Sequence, residues 1–442
     1  MASEECYKLL IHSAKQVVQV VKNGERVVTG RGLKNVAVLD KSAGSGFSIV
    51  VSRDGYISDI GPDTEIAEKY KSAKFLNKID ASGKCVLPGL VDAHTHPVWA
   101  GDRVDEFSMK LAGATYMDVH KAGGGIYHTV KHTRQASEET LLRLLLARLE
   151  EMLRAGTTLV EAKSGYGLDP ETEMKILRVI EQAKKRSSVE LSSTFCGAHA
   201  VPNGMTSDEA TEAILNQHLP ILQKLMDSGE ISVDSIDVFC EKGVFDAQQS
   251  RRILDAGREM GLRLNFHGDE LHPIGAAEMG AELKADAISH LEEISDTGIQ
   301  AMAKSGSIAV ILPTTAYMLK LQPPPVHKMV EAGVPIALGS DFNPNAFCLA
   351  MPLVMHLACV LCRMTMSEAL HAATINAAAA LGKSSTHGSL ERGKFADIVI
   401  INAERWEHLI YQMGVHNSLI YCVIKKGVIA YKCNNVTLTV QA

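Results

Sequence analysis

Pro88-Gly89-Leu90-Val91-Asp92-Ala93-His94-Thr95-His96 places a short apolar run directly before two histidines spaced two apart. In a β-strand successive side chains alternate faces, so the imidazoles of His94 and His96 point to the same side and can bind one cation. The apolar strand before them has to deliver that pair to the end of a buried sheet.

Working outward, similar runs recur, alternating with amphipathic helical stretches. Eight strand-like runs end near His94, Glu161, His199, Glu241, His267, His290, Pro313 and Asp341. The helical stretches between them include Ser137 to Ala155, Pro170 to Lys185, Asp208 to Leu225, Ala247 to Met260 and Leu291 to Lys304. Ser137 is suited to cap a helix start and Gly156 to stop its end. Strand and helix alternating eight times predict an α/β fold, a (β/α)8 TIM-like barrel. Leu191 to Phe195 runs toward His199, Leu264 to Phe266 into His267, Ala287 to Ser289 into His290, and Ile336 to Leu338 toward Asp341. Buried strands that each finish on a histidine or an acid converge on the C-terminal face, where barrel enzymes keep their chemistry.

The flanks read differently. Phe47-Ser48-Ile49-Val50-Val51 followed by Arg53-Asp54-Gly55, and the late Ala396 to Ile401 and Tyr421 to Gly427, are short strands with Gly and Asp turns. The expected division is 1–84 and 388–442 as β-rich ends around a barrel of 85–387. Hydrophobic residues at 46% and charged residues at 22% fit a soluble globular chain, and 442 residues suit one barrel plus a smaller unit. A net charge of -6 and a pI near 6.3 leave no electrostatic footprint for nucleic acid or anionic lipid, so a small-molecule partner is expected. Met1 to Gln16 lacks a signal-peptide stretch, and no run of about 18 apolar residues follows, so the cytosol is the expected compartment. The nine cysteines show no repeated spacing and read as reduced thiols; Cys359 and Cys362 form a CxxC with no second pair. Asn435-Val436-Thr437 is a glycosylation sequon only in a secreted chain.

His267 and Asp341 add a nitrogen and a carboxylate donor to His94 and His96. Three histidines and one aspartate suit a single Zn2+ or Fe ion with a position left for water. Such an ion brings the pKa of water to about 7, and a carboxylate must then handle protons. Glu270, three residues past His267, and Asp341 are the two candidates, with Glu270 also readable as a helix-start acid. His290, one strand further on, is placed to hold the oxyanion or the attacking water, or else is a core histidine.

Pro88 to His96, Gly339-Ser340-Asp341 and Gly393-Lys394-Phe395-Ala396-Asp397-Ile398-Val399 together resemble the amidohydrolase superfamily. Its members join the barrel to a small β-sandwich built from both chain ends, in keeping with the flanks. Within it, Val98 to Arg103, Gly123 to Ile126, Glu161 to Gly167, Phe195 to His199 and Ser340 to Pro344 resemble the imidazolonepropionases of histidine breakdown. That family opens 4-imidazolone-5-propanoate with water to give N-formimidoyl-L-glutamate. The resemblance implies that His94, His96, His267 and Asp341 hold the metal, that Arg103, Tyr166 and His199 meet the substrate, and that Glu270 and His290 serve the ring chemistry. It further implies that Asn343 fixes the product's amino-acid end, and that subunits pair as a homodimer. After Asn343-Pro344 the family has Gly and a small hydroxyl residue where this chain has Asn345-Ala346; Asn345 tolerates positive φ and stays in the substrate-binding set.

Three other readings bear on the same residues. Another cyclic-amide or amidine hydrolase on this scaffold, such as a purine or pyrimidine deaminase, would share the metal set, but Arg103, Tyr166 and His199 ask for an anionic substrate tail. A catalytically silent barrel acting as an assembly partner predicts missing ligands, and all four are present. A dinuclear centre would need a carboxylated lysine near the fourth strand's end, where Lys242 sits in a turn setting; one metal is expected. Gly123 to Gly125 lacks the spacing of a phosphate loop and suits a cover that excludes water.

Overall fold

The computed structural model describes residues 5–40, 46–113 and 124–433; Gly123 and the sequon Asn435-Val436-Thr437 lie outside them. Seven strands precede the barrel: β1 (Cys6–Ala14), β2 (Gln16–Val20), β3 (Ala37–Asp40), β4 (Phe47–Val51), β5 (Ile57–Pro62), β6 (Lys74–Asp80) and β7 (Cys85–Pro88). The barrel strands are β8 (Leu90–Asp92), β9 (Thr157–Lys163), β10 (Glu190–Ala198), β11 (Ser235–Cys240), β12 (Arg263–Gly268), β13 (Ala287–His290), β14 (Ile308–Ile311) and β15 (Ile336–Leu338). The chain ends on β16 (Ile398–Ile401), β17 (Ile420–Lys425) and β18 (Val428–Lys432).

The eight middle strands form one parallel sheet in chain order. Its two edges meet: Asp341 N–H donates to the His94 carbonyl at 2.9 Å, His96 N–H donates to the Phe342 carbonyl at 2.9 Å, and Thr95 bridges Phe342 in parallel. Closure therefore happens at the two segments that carry the candidate ligands, which fixes both on one rim.

The terminal strands make two further sheets, ordered β5-β4-β1-β6 and β18-β17-β16-β7-β2-β3. Leu9, Ile11, Ile49 and Val51 of the first pack with Val86, Ile398, Ile400 and Ile424 of the second in one apolar core. In the second sheet β7 runs antiparallel to β16 and parallel to β2, so strands from opposite chain ends are neighbours.

The run Leu87 to Val91 is two strands rather than one. Gly89 is the break: its N–H donates to the Asp397 carbonyl at 2.8 Å, while the next N–H, of Leu90, donates to Gly156 at 2.9 Å in the barrel. A Cβ at Gly89 would overlap the Thr158 side chain, so the crossing needs glycine.

The helices follow their caps. Glu138–Arg154 starts at Ser137, whose hydroxyl accepts the Thr140 N–H at 3.2 Å, and the chain leaves it through Gly156 at φ 92°. Asp169 caps Pro170–Lys184 in the same way. Two stretches differ from expectation. Asp208 to Leu225 is Ser207–Ala213 and Leu219–Asp227 joined through a π-helical turn at Ile214–His218. Leu291 to Lys304 becomes helix only at Asp296–Ser305, because His290 and Leu291 take φ of 76° and 69° and cannot begin a right-handed helix. No described helix is long and apolar enough to cross a membrane.

Candidate functional site

All eleven residues singled out from the sequence lie on the barrel's C-terminal rim. Ten of them, His96, Arg103, Tyr166, His199, His267, Glu270, His290, Asp341, Asn343 and Asn345, line one cavity of about 140 Å³. His94 lies directly beneath, fully buried, with its ring 4.5 Å from that of His267 and 5.2 Å from that of His96.

The ligand atoms are oriented from behind. His94 Nδ1 meets the Ser289 hydroxyl at 2.8 Å, and His267 Nδ1 donates to Asp237 Oδ1 at 2.8 Å. Each bond leaves Nε2 of that ring turned to the centre, the usual way in which an outer partner sets a ligand's tautomer. His94 Nε2 lies 3.5 Å and His96 Nε2 3.7 Å from Asp341 Oδ1, and the Nε2 atoms of His96 and His267 are 3.1 Å apart. Thr315 donates its hydroxyl to the other Asp341 oxygen. His94 Nε2 is buried without a hydrogen-bond partner, as is His96 Nδ1. Burial first, and then the neighbouring cationic and imidazole groups, hold all three rings well below the ordinary histidine range, so they are neutral. Bare lone pairs and a carboxylate crowded together without protons repel one another, and a cation between them removes the conflict. The donor set fits a metal ion.

The proton-handling groups sit beside it. Burial raises the Glu270 carboxyl to about 7, with Glu292 and Asp341 adding to the shift and His290 opposing it. Its Oε2 is 3.6 Å from His290 Nε2. Burial disfavours charge on His290, yet Glu270 and Glu292 outweigh burial and lift the ring to about 10. Glu270 lies in a turn after β12, not at a helix start. Burial also pushes the Asp341 carboxyl up, against the attraction of His290.

The substrate side is more constrained than the sequence suggests. Arg103 is paired with Glu106 through two parallel bonds, Nε to Oε2 at 2.7 Å and a second from Nη2 to Oε1. Glu106 also accepts the Gly125 N–H at 2.8 Å and faces Lys110 at 2.7 Å, so it ties the end of the glycine run to the rim. Burial, and then Asp341, raise the Tyr166 phenol far above its usual range, which leaves it a neutral donor. Burial lowers His199 to about 4; its Nδ1 donates to Gly165 at 3.0 Å and its ring stacks on His96 at 4.5 Å. Asn343 is committed to its own turn, with Nδ2 donating to the Asp341 carbonyl at 2.7 Å and Oδ1 accepting from Asn345 N–H at 2.7 Å and Ala346 N–H at 3.1 Å. That bonding holds the turn without a positive φ at Asn345, whose Oδ1 instead accepts from Lys110 at 2.8 Å.

Sequence reasoning passed over the second layer. Lys163 is wholly buried, 2.8 Å from Glu161 and 2.5 Å from Asp237, and those carboxylates more than offset the burial that opposes its charge. The available signal was a charge in mid-strand: Glu161 and Lys163 flank Ala162 on one face of β9, and Asp237 interrupts Ile236 and Val238 in β11. Lys242 is exposed and its N–H donates to Glu241 at 2.7 Å, outside the ligand cluster.

The profile of the Amidohydrolase family matches residues 85–430. Proteins named "Probable imidazolonepropionase" from Mus musculus, Nematostella vectensis and Homo sapiens are 62%, 61% and 61% identical to the chain, each over 96% of its length and 99% of theirs. Among solved structures, an adenosine deaminase from Xanthomonas campestris with bound zinc superposes with a TM-score of 0.66 at 18% identity, covering 98% of this chain and 95% of the other. A guanine deaminase from C. acetobutylicum gives 0.67 at 15% identity, over 96% and 99%. At those identities the structural likeness speaks for the fold.

Proposed function

The chain belongs to the amidohydrolase family and, within it, to the imidazolonepropionases, and from that premise we propose how its residues carry the reaction. It is a hydrolase that opens the ring of 4-imidazolone-5-propanoate with water, giving N-formimidoyl-L-glutamate in histidine degradation. The observation that carries the residue assignment is that Glu270 and His290 border the same small cavity as Arg103, so proton transfer and carboxylate recognition share one space.

One Zn2+ or Fe ion held by His94, His96, His267 and Asp341 would supply Lewis acidity, lowering the pKa of water and polarising the ring carbonyl. Asp341 has one oxygen on Thr315 and the other toward the histidines, which leaves Glu270 the freer carboxylate. Glu270 takes the proton as water oxygen bonds to the carbonyl carbon, and returns it to the ring nitrogen as the carbon–nitrogen bond breaks. His290 Nε2 donates to the oxygen on which negative charge develops. Arg103 offers its remaining N–H edge to the propanoate, with Tyr166 as a neutral donor and His199 as a neutral ring against the imidazolone. Asn343 and Asn345 border the amino-acid end of the product, where the one new carboxylate forms.

The family resemblance also supports a cytosolic homodimer, and the crossing at Gly89 supports a barrel unit that begins there and gives way to the terminal sheet near residue 388. The test is direct: metal-analysed protein incubated with fresh 4-imidazolone-5-propanoate yields N-formimidoyl-L-glutamate. Metal-loaded protein that forms none overturns the reading.

A further inference from the structure

Glu292 is the least explained charged group at the rim. Its side chain is 1% exposed, and both carboxylate oxygens lack a hydrogen-bond partner among the described residues. A buried carboxylate without donors is costly, and proteins keep such groups where a function needs them. The atom facing it is Nδ1 of His290, at 3.6 Å and itself without a hydrogen-bond partner. The backbone is bent to make this meeting. His290 and Leu291 both hold φ in the left-handed region, a rare state for non-glycine residues, and the turn is pinned by Leu291 N–H to Gly268 at 3.1 Å and Glu293 N–H to Asp269 at 2.8 Å. Without the two left-handed residues the chain after β13 would run on past the rim.

We propose that Glu292 is a positioning residue for the ring opening: it faces Nδ1–H of His290 and holds the ring with Nε2 turned to Glu270 and the cavity. His290 then stands between two carboxylates, Glu292 behind and Glu270 in front at 3.6 Å on either side. The rear carboxylate fixes the orientation of the ring, so that Nε2 is the atom presented to the substrate oxygen. Separations of this length contract when a substrate completes such a set. The inference rests on the function proposed above for the His290 side chain.

The test compares Glu292→Gln, His290→Asn and the double variant in the zinc-loaded enzyme. Glu292→Gln lowers kcat by about tenfold to a hundredfold with KM nearly unchanged, as loss of an outer partner does elsewhere. Its melting temperature stays close to that of the wild type, because a buried ion pair contributes little net stability once the desolvation of both groups is counted. In the His290→Asn background Glu292→Gln changes kcat no further. An unchanged kcat in the single variant, an added loss in the double variant, or a fall in melting temperature together with zinc loss overturns the proposal. A readout free of turnover separates it from the reaction assignment: long-range 15N–1H correlations of His290 show Nδ1 carrying a hydrogen in the native protein and shifted Nδ1 and Nε2 resonances in Glu292→Gln. A wild type that makes no N-formimidoyl-L-glutamate refutes the assigned reaction. A bare Nδ1 in the wild type refutes the role of Glu292.

Discussion

The two ends of the barrel treat buried carboxylates in opposite ways. At the foot, Glu190 at the start of β10 lies 3.2 Å from Lys425, 3.0 Å from Lys426 and 3.3 Å from His387, and Asp397 lies 2.6 Å from Lys425. Burial alone would raise the Glu190 carboxyl, but His387 and Lys425 more than reverse it and hold it far below the usual range. At the rim, Glu270 and Asp341 face imidazoles, and burial wins: both carboxyls are raised, Glu270 to about 7. The same side chain is thus held as an anion where His387 and the ammonium groups of the terminal sheet reach it, and is free to take up a proton near neutrality where they do not. The foot carries the join between barrel and terminal sheets; the rim carries the candidate site.

Stripping the metal is the strongest way to set the ends apart. A chelator is expected to lower turnover by about a thousandfold or more, with recovery on adding zinc, while far-ultraviolet ellipticity holds because the foot has no part in the ligand set. Loss of ellipticity alongside activity would show that the rim also supports the fold. Next in size, Glu270→Gln is expected to lower kcat by about a hundredfold to a thousandfold. The sign of its stability effect follows from the raised carboxyl. Native Glu270 costs stability above its unfolded value of 4.5, and more so up to about 7, so the metal-free variant should exceed metal-free wild type at pH 8 by on the order of 1–3 kcal/mol in urea unfolding. At pH 4 the two should coincide. A variant less stable at pH 8 would place Glu270 with the foot residues.

How much of this contrast was legible depended on where polar residues fell in the strands. His94, His96, His267, His290 and Asp341 stand at the ends of apolar runs, and strand-end position alone predicts convergence in a parallel barrel. The β-rich flanks were legible by their alternation. The break at Gly89 was not, since nothing in Leu87 to Val91 marks a change of sheet; it depends on Asp397 and Gly156 arriving from far along the chain. Lys163 and Asp237 were hidden because a charge in mid-strand takes its meaning from partners on other strands. Glu292 was hidden because its direction is set by two left-handed residues rather than by any periodicity.

Arg103 tests whether the outer rim behaves as the inner one does. Because Glu106 holds two of its N–H groups, the guanidinium is a preformed fork, and a lysine cannot copy that geometry. Arg103→Met is expected to raise KM for the propanoate substrate by about tenfold to a hundredfold with a smaller change in kcat, and Arg103→Lys to recover little of it. Burial would raise Glu106, yet Arg103, Lys110 and the Gly125 N–H bring it to about 2, so this carboxylate is of the foot's kind although it sits at the mouth. A kcat loss matching that of Glu270→Gln would mean that Arg103 acts on the reacting bond rather than on the tail.

Glu190→Gln gives the smallest effect and the cleanest sign. Its folded carboxyl is depressed, so its contribution is present above the unfolded value of 4.5 and is lost as pH falls toward the folded one. At pH 7 the variant should lose about 1–3 kcal/mol in urea unfolding, since Lys425 and Lys426 keep their charge and lose a partner. At pH 3 the gap should narrow, because the unfolded carboxyl is then largely protonated and part of the advantage of the paired anion is lost. Turnover at pH 7 should stay within about twofold of wild type, as the rim's carboxylates share no cation with the foot. A constant gap across pH would assign the contact to packing rather than charge, and a large fall in kcat would mean that strain at the foot reaches the rim through β10, whose far end leads to His199.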